Sequence, residues 1–108
     1  MGLDATIYRD EEEEHEIASV RLGNTAMIGH LRRVLEAGPA NAAILLTKVL
    51  YSGTHSGDRL TTAEARRAKR ELEDVRANHS DDPEVEAFAV SFGRLLDLAL
   101  EHDRPVTF

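Results

Sequence analysis

The sequence predicts an α+β domain: an N-terminal antiparallel β-hairpin, with a third, edge strand available at the C-terminus, packed against about four α-helices. Three observations lead there. Apolar and polar residues alternate with period two on either side of an acidic block near the N-terminus, apolar residues recur at helical spacing in three later segments, and Gly, Pro or short polar residues mark the boundaries. A chain of 108 residues has room for one such domain, spanning 1–108, with no internal repeat and no interdomain linker.

The first strand covers residues 3–9, with Leu3, Ala5 and Ile7 on one face and Asp4, Thr6 and Tyr8 on the other. After the acidic block, Ala18, Val20 and Leu22 alternate with Ile17, Ser19 and Arg21, and the two segments pair as a hairpin. Asn24 and Thr25 offer N-cap oxygens for a helix to about Ala37, in which Met27, Ile28, Leu31, Val34 and Leu35 share a face. Gly38-Pro39 ends it, Gly supplying a left-handed C-cap and Pro refusing to continue. Periodicity alone does not separate helix from strand in the apolar run 40–51, and the excess of Ala and Leu over β-branched residues favours helix.

Residues 52–58, Ser-Gly-Thr-His-Ser-Gly-Asp, read as a loop. Thr61 and Glu64 have capping-box spacing for a helix to about Ala77 with a narrow seam of Ala65, Ala68, Leu72 and Val75. On its wet side Arg67 with Glu71, Lys69 with Glu73 and Arg70 with Asp74 form i,i+4 pairs. Pro83 suits the first turn of the last helix, where Val85, Phe88, Phe92, Leu95, Leu96 and Ala99 form the strongest apolar stripe in the chain, broadened by Ala89, Val90, Leu98 and Leu100. Residues 103–108 supply the terminal strand, which Pro105 confines to an edge or to a strand start.

Charge narrows the function classes. The formal net charge is -7, from 20 acidic and 13 basic side chains. Six of the acidic ones, Asp10, Glu11, Glu12, Glu13, Glu14 and Glu16, lie together, so the remainder carries 14 acidic and 13 basic groups, a net of -1. Such a block repels itself and stays solvated as a loop; Glu11, Glu12, Glu13 and Glu14 also form a handle for a basic protein partner, with fast, salt-sensitive association. It argues against nucleic acid, which needs clustered Lys and Arg. No apolar run approaches the roughly 20 residues that span a bilayer, the start has no basic-apolar leader, and zero cysteines remove disulfides and thiolate sites. A reducing cytoplasm is the expected home.

Tyr51, His55, Ser56, Asp58 and Arg59, with Glu64 beyond them, are the candidate ligand or interaction loop, because reactive side chains concentrate there between two helices. His55 as base, Ser56 as nucleophile and Asp58 as orienting group match the roles of a triad, yet three residues in a four-residue stretch would have to fold back on themselves. Asp58, Glu64, Thr54 and Ser56 offer oxygens to a hard cation, but two carboxylates fall short of an EF-hand set. Gly53 and Gly57 before a helix N-terminus suit an anion, without a phosphate-loop lysine. The plainest reading is a turn whose polar side chains satisfy local backbone groups. His15, His30, His55, His79 and His102 are scattered without zinc spacing, so the sequence assigns no metal and no cofactor. Phe88 and Phe92 belong to the core, and His30, on the flank of the first helix, reads as solvated or singly hydrogen-bonded.

The opening Met1-Gly2-Leu3-Asp4 before a strand ending in Tyr8, then Glu16-Ile17-Ala18 with Arg21 and Asn24 entering a helix, resembles small bacterial and phage proteins without an assigned activity. The stretch from Leu46 through Tyr51, His55, Ser56, Gly57 and Asp58 to Leu60, Glu64 and Leu72 is similar to a helix-turn-helix segment of such proteins. Their turn carries more acidic residues and a cysteine, absent here. The resemblance implies bacterial origin and a compact α+β domain, and transfers no catalytic residue.

The expected function is therefore a non-enzymatic protein–protein interaction module, with an immunity or inhibitor protein as a concrete version. The alternative is a small-molecule or metal-ion binding domain, extending to a hydrolase, centred on the 52–59 loop. Monomer and homodimer are both open, the apolar run Ala42–Leu50 being the expected dimer face, and Arg32 and Arg33 are matched within the chain by the acidic block.

Overall fold

The computed structural model describes residues 2–10, 12, 15–38, 43–50 and 59–108. Strands β1 (Gly2–Tyr8) and β2 (Glu16–Asn24) form the hairpin, followed by α1 (Thr25–Ala37), a short π-helical turn (Leu45–Val49), β3 (Arg59–Leu60), α2 (Thr62–Asn78), α3 (Pro83–His102) and β4 (Val106–Thr107). The α+β class with an N-terminal hairpin is as the patterning requires. All four strands are antiparallel, in the order β2-β1-β4-β3.

The sheet differs from expectation in two places. The C-terminal strand forms, but between β1 and β3 rather than at an edge: Val106 pairs with Ile7 on one side and Leu60 on the other. Pro105 permits this because it stands just before the strand, where no ladder N–H is lost. The edge belongs instead to Arg59–Leu60, too short to show a period in the sequence.

One face of the sheet is apolar. Ala5, Ile7, Leu60 and Val106 are buried under the helices, whereas Asp4 is exposed and Thr6 hydrogen-bonds Ser19 across the outer face, Oγ1 to Oγ at 3.1 Å. Two register shifts, between Leu3 and Asp4 and between Ile7 and Tyr8, interrupt the β1-β2 ladder. Gly23 sits at the first of them with φ of +149°, where a Cβ would meet Met27 Cγ at 2.6 Å. Only Gly fits this junction of β2 and α1.

The helix boundaries follow their caps. Asn24 Oδ1 accepts from Met27 N–H at 2.9 Å, and Thr61 and Glu64 exchange both bonds of a capping box at 3.2 and 3.0 Å. Gly38, expected to be left-handed, is extended with φ of -85°. Its value is absence of bulk, since a Cβ there would stand 2.5 Å from His79 Nε2 at the end of α2. The left-handed cap occurs at Asp103, after α3.

α3 is the central helix: Val85, Phe88, Ala89, Phe92, Leu95, Leu96 and Ala99 are buried, and Phe88 stacks on Phe92 at 5.6 Å. α2 lies antiparallel to it, tied by Lys69 to Asp97 and by Arg76 to Glu86, whose guanidinium makes two bonds of 2.6 and 3.2 Å. The hydrogen bond to Asp97 and its negative charge hold the Lys69 ammonium above its usual range. Of the run 40–51, residues 43–49 are helical, as its composition favours, but the described part is not an exposed dimer face. Ile44, Leu45, Val49 and Leu50 are buried in the core and only Leu46 is half-buried among its large apolar residues.

The expected surface pair of Arg67 with Glu71 is also absent. Glu71 turns inward, is 6% exposed, and its two carboxylate oxygens accept the N–H groups of Ile44 and Leu45, both at 3.0 Å. Backbone N–H groups at the start of a helical segment have no partner within it, and a carboxylate there satisfies them and complements the local dipole. Arg32 completes the segment at its other end, donating from Nη1 to Leu50 C=O at 3.0 Å and from Nη2 to Glu36 at 2.8 Å. Glu71→Ala leaves two buried donors unpaired and should cost about 3 kcal/mol in chemical denaturation, with Glu71→Gln, which keeps one acceptor, intermediate. Equal stability of wild type and Glu71→Ala would contradict this role.

Candidate functional site

The candidate site is a cleft of about 890 Å³ between the end of β2, the start of α1 and the N-terminal half of α3. Sequence order explains its walls. β2 hands over to α1 through Gly23 and the Asn24 cap, so Leu22 and Met27 face the same hollow, while α3 presents Phe88 from below. Leu22 and Phe88 are buried and Met27 half-buried, giving an apolar floor. The rim is polar: Arg21 on β2, His30 on α1, and Glu84 and Ser91 on α3.

His30 closes one end. Its Nε2 lies 3.1 Å from Asp82 Oδ2 and 3.5 Å from Glu84 Oε2, so the ring bridges α1 to the N-terminus of α3. A carboxylate only accepts, so in this contact Nε2 is the donor. Asp82 is itself the N-cap of α3; Oδ1 accepts from Glu84 N–H at 3.0 Å and Val85 N–H at 3.2 Å. Burial pushes the Asp82 carboxyl up, but the Val85 N–H, the His30 ring and the Glu84 N–H together outweigh it and hold the group below its ordinary 3.8.

Of the loop residues singled out in the sequence, Tyr51, His55, Ser56 and Asp58 lie outside the described residues, as do Glu11, Glu13 and Glu14 of the acidic block. Arg59 is exposed on β3, and Glu64 is engaged in the capping box with Thr61. Glu12 is exposed, and the hairpin turn around it closes through Arg9 N–H to His15 C=O at 2.7 Å and His15 Nδ1 to Asp10 at 2.7 Å. Arg59 and Glu64 are far from the cleft in the order of elements, and the structure does not bring them to His30 or Phe88 as lining residues. Among the described residues no group of three His, Asp or Glu side chains gathers as a metal site, and no serine or threonine hydroxyl is hydrogen-bonded to a histidine. Among the described residues no helix is long and apolar enough to cross a membrane.

Reading the chain residue by residue passes over this cleft. His30 is legible as a singly bonded flank residue, but its partner is 52 positions away. The only local signals are the Asp82-Pro83 helix start and the glycine before Asn24. In comparisons with known proteins, no family model, no curated protein and no solved structure matches the chain.

Because Asp82 releases its proton more readily in the fold than in the unfolded chain, its ionised form adds stability that is complete above pH 3.8 and is lost as the pH falls through the lower folded value. Asp82→Ala should therefore cost about 1 kcal/mol at neutral pH, and the gap to wild type should close in acid. A gap independent of pH, followed by denaturant titration, would contradict the capping account.

Proposed function

We propose that the chain is a non-enzymatic protein-binding module that takes a segment of a partner into the cleft between β2, α1 and α3, with the acidic hairpin block guiding a basic partner. The observation that carries this reading is the cleft itself: an apolar floor of Leu22, Met27 and Phe88 under a rim of both charge signs. Binding surfaces of this kind anchor an apolar group at the centre and set orientation with polar groups around it. The concentration of six acidic residues within positions 10–16 of the sequence supports electrostatic steering, which speeds encounter more than it tightens the complex.

A small-molecule ligand is the second reading. A volume of about 890 Å³ falls within the range of roughly 300–1,000 Å³ common for ligand pockets. Thermal-shift screening separates it from the first, since a small ligand raises the melting temperature without a protein partner.

The test of the first reading uses Ala87→Trp, an exposed position on α3 that lines the cleft, beside a variant with Glu11, Glu12, Glu13 and Glu14 all changed to Gln. Capture of partners on the immobilised chain should yield a stoichiometric protein that Ala87→Trp loses and that the neutralised variant binds more slowly and with weaker salt dependence. The same protein retained equally by Ala87→Trp would remove the cleft from the interaction.

A further inference from the structure

We infer that the free edge of β2 is the docking site for a second copy of this chain, added antiparallel about a two-fold axis to join two four-stranded sheets into one. The inference does not rest on the cleft reading.

The two edges of the sheet are unlike. The β3 edge is two residues long, which leaves little backbone to template another strand. The β2 edge is nine residues, Glu16–Asn24, and among the described residues it pairs with β1 alone. Its outward N–H and C=O groups find no backbone partner among the described residues. Proline and lysine, which commonly blunt an exposed edge, are absent from it; the extra residue at each register shift, Ile17 and Leu22, is on β2 itself, and Ala18–Arg21 is the regular stretch between them.

Burial across the β1-β2 ladder shows an incomplete layer. Ala5 and Ile7 are 0% exposed, whereas their partners Val20 and Ala18, on the same apolar face, are only half-buried. A further strand alongside β2 would finish covering them. An antiparallel copy centred on Ser19 sets Ala18 of each copy opposite Val20 of the other, since directly opposed residues share a face.

Charge makes the occupant a second copy rather than an arbitrary strand. Glu16 and Arg21 are both exposed and lie opposite Tyr8 and Asp4, Arg21 being also a residue of the cleft rim. They have opposite signs and stand on opposite sides of the strand's middle. Two-fold pairing about Ser19 sets Arg21 of each copy opposite Ile17 of the other, so the neighbouring Glu16 is a diagonal contact within side-chain reach, twice per dimer. The net charge of -7 per copy opposes association at long range, so the contact is short-ranged and limited to this edge.

Sedimentation equilibrium of the full chain over low to high micromolar concentration tests this. Wild type should show a reversible monomer–dimer equilibrium and no larger species. Ser19→Lys, which sets two like charges face to face at the axis, should raise the dimer dissociation constant about tenfold or more, with the circular dichroism and thermal transition of the monomer retained. Glu16→Arg and Arg21→Glu should each weaken the dimer alone, and the double variant should restore it, because in the double variant the opposed charges again differ in sign. A wild type that is monomeric throughout, or a dimer indifferent to all three positions, overturns the inference; a restored double variant has no explanation within a single copy.

Discussion

The buried carboxylate of Glu71 is the constraint around which the helical layer is organised. It projects from α2 onto the first free N–H groups of the segment 43–49, while Arg32 projects from α1 onto the carbonyl of Leu50 at the other end. A segment this short cannot sustain its own helical bonding, since nucleation fixes several residues for each hydrogen bond gained, and Ile44 at its start has no side-chain cap of its own. Negative charge at the start and positive charge at the end supply what the segment lacks. With its ends satisfied, Leu45, Val49 and Leu50 reach into the core without leaving polar backbone groups stranded there. The same two side chains tie α1 and α2 to each other through the segment.

Two cations of α2 pair outside their own helix. Lys69 engages Asp97 and Arg76 engages Glu86, so the cations that leave their own helix hold α2 against α3. Such exposed pairs contribute little each, typically below about 1 kcal/mol, and set orientation more than stability. The packing of Ala65, Ala68, Leu72 and Val75 against α3 carries the greater part of that contact. His30 does for α1 what these pairs do for α2: it meets the N-terminal carboxylates of α3, and in doing so closes the cleft at one end.

The parts of this architecture that were legible in the sequence are those governed by local physics. Alternation in 3–9, the Asn24 cap, the Thr61–Glu64 box, Pro83 at a helix start and the stripe from Val85 to Ala99 each report their own surroundings within a few residues. What stayed hidden depends on residues far apart in the chain. Glu71 has the spacing of a surface pair with Arg67, and only the arrival of residues 44 and 45 makes inward burial favourable. β3 is two residues long and exists because β4 lies beside it. The cleft draws on β2, α1 and α3, and its His30–Asp82 contact spans 52 positions, so no short motif announces it. Gly38 reads as a turn former and serves instead as a flat surface for His79.

Native-state hydrogen exchange at the amides of Ile44 and Leu45 tests the central role of Glu71 most directly. If the Glu71 carboxylate locks the segment to the core, both amides open only when α2 and α3 open, and their protection matches that of the slowest amides in those helices. Exchange at Ile44 and Leu45 through local opening, many times faster than in α2 and α3, would show that the segment frays independently and that the helical layer does not depend on this bond.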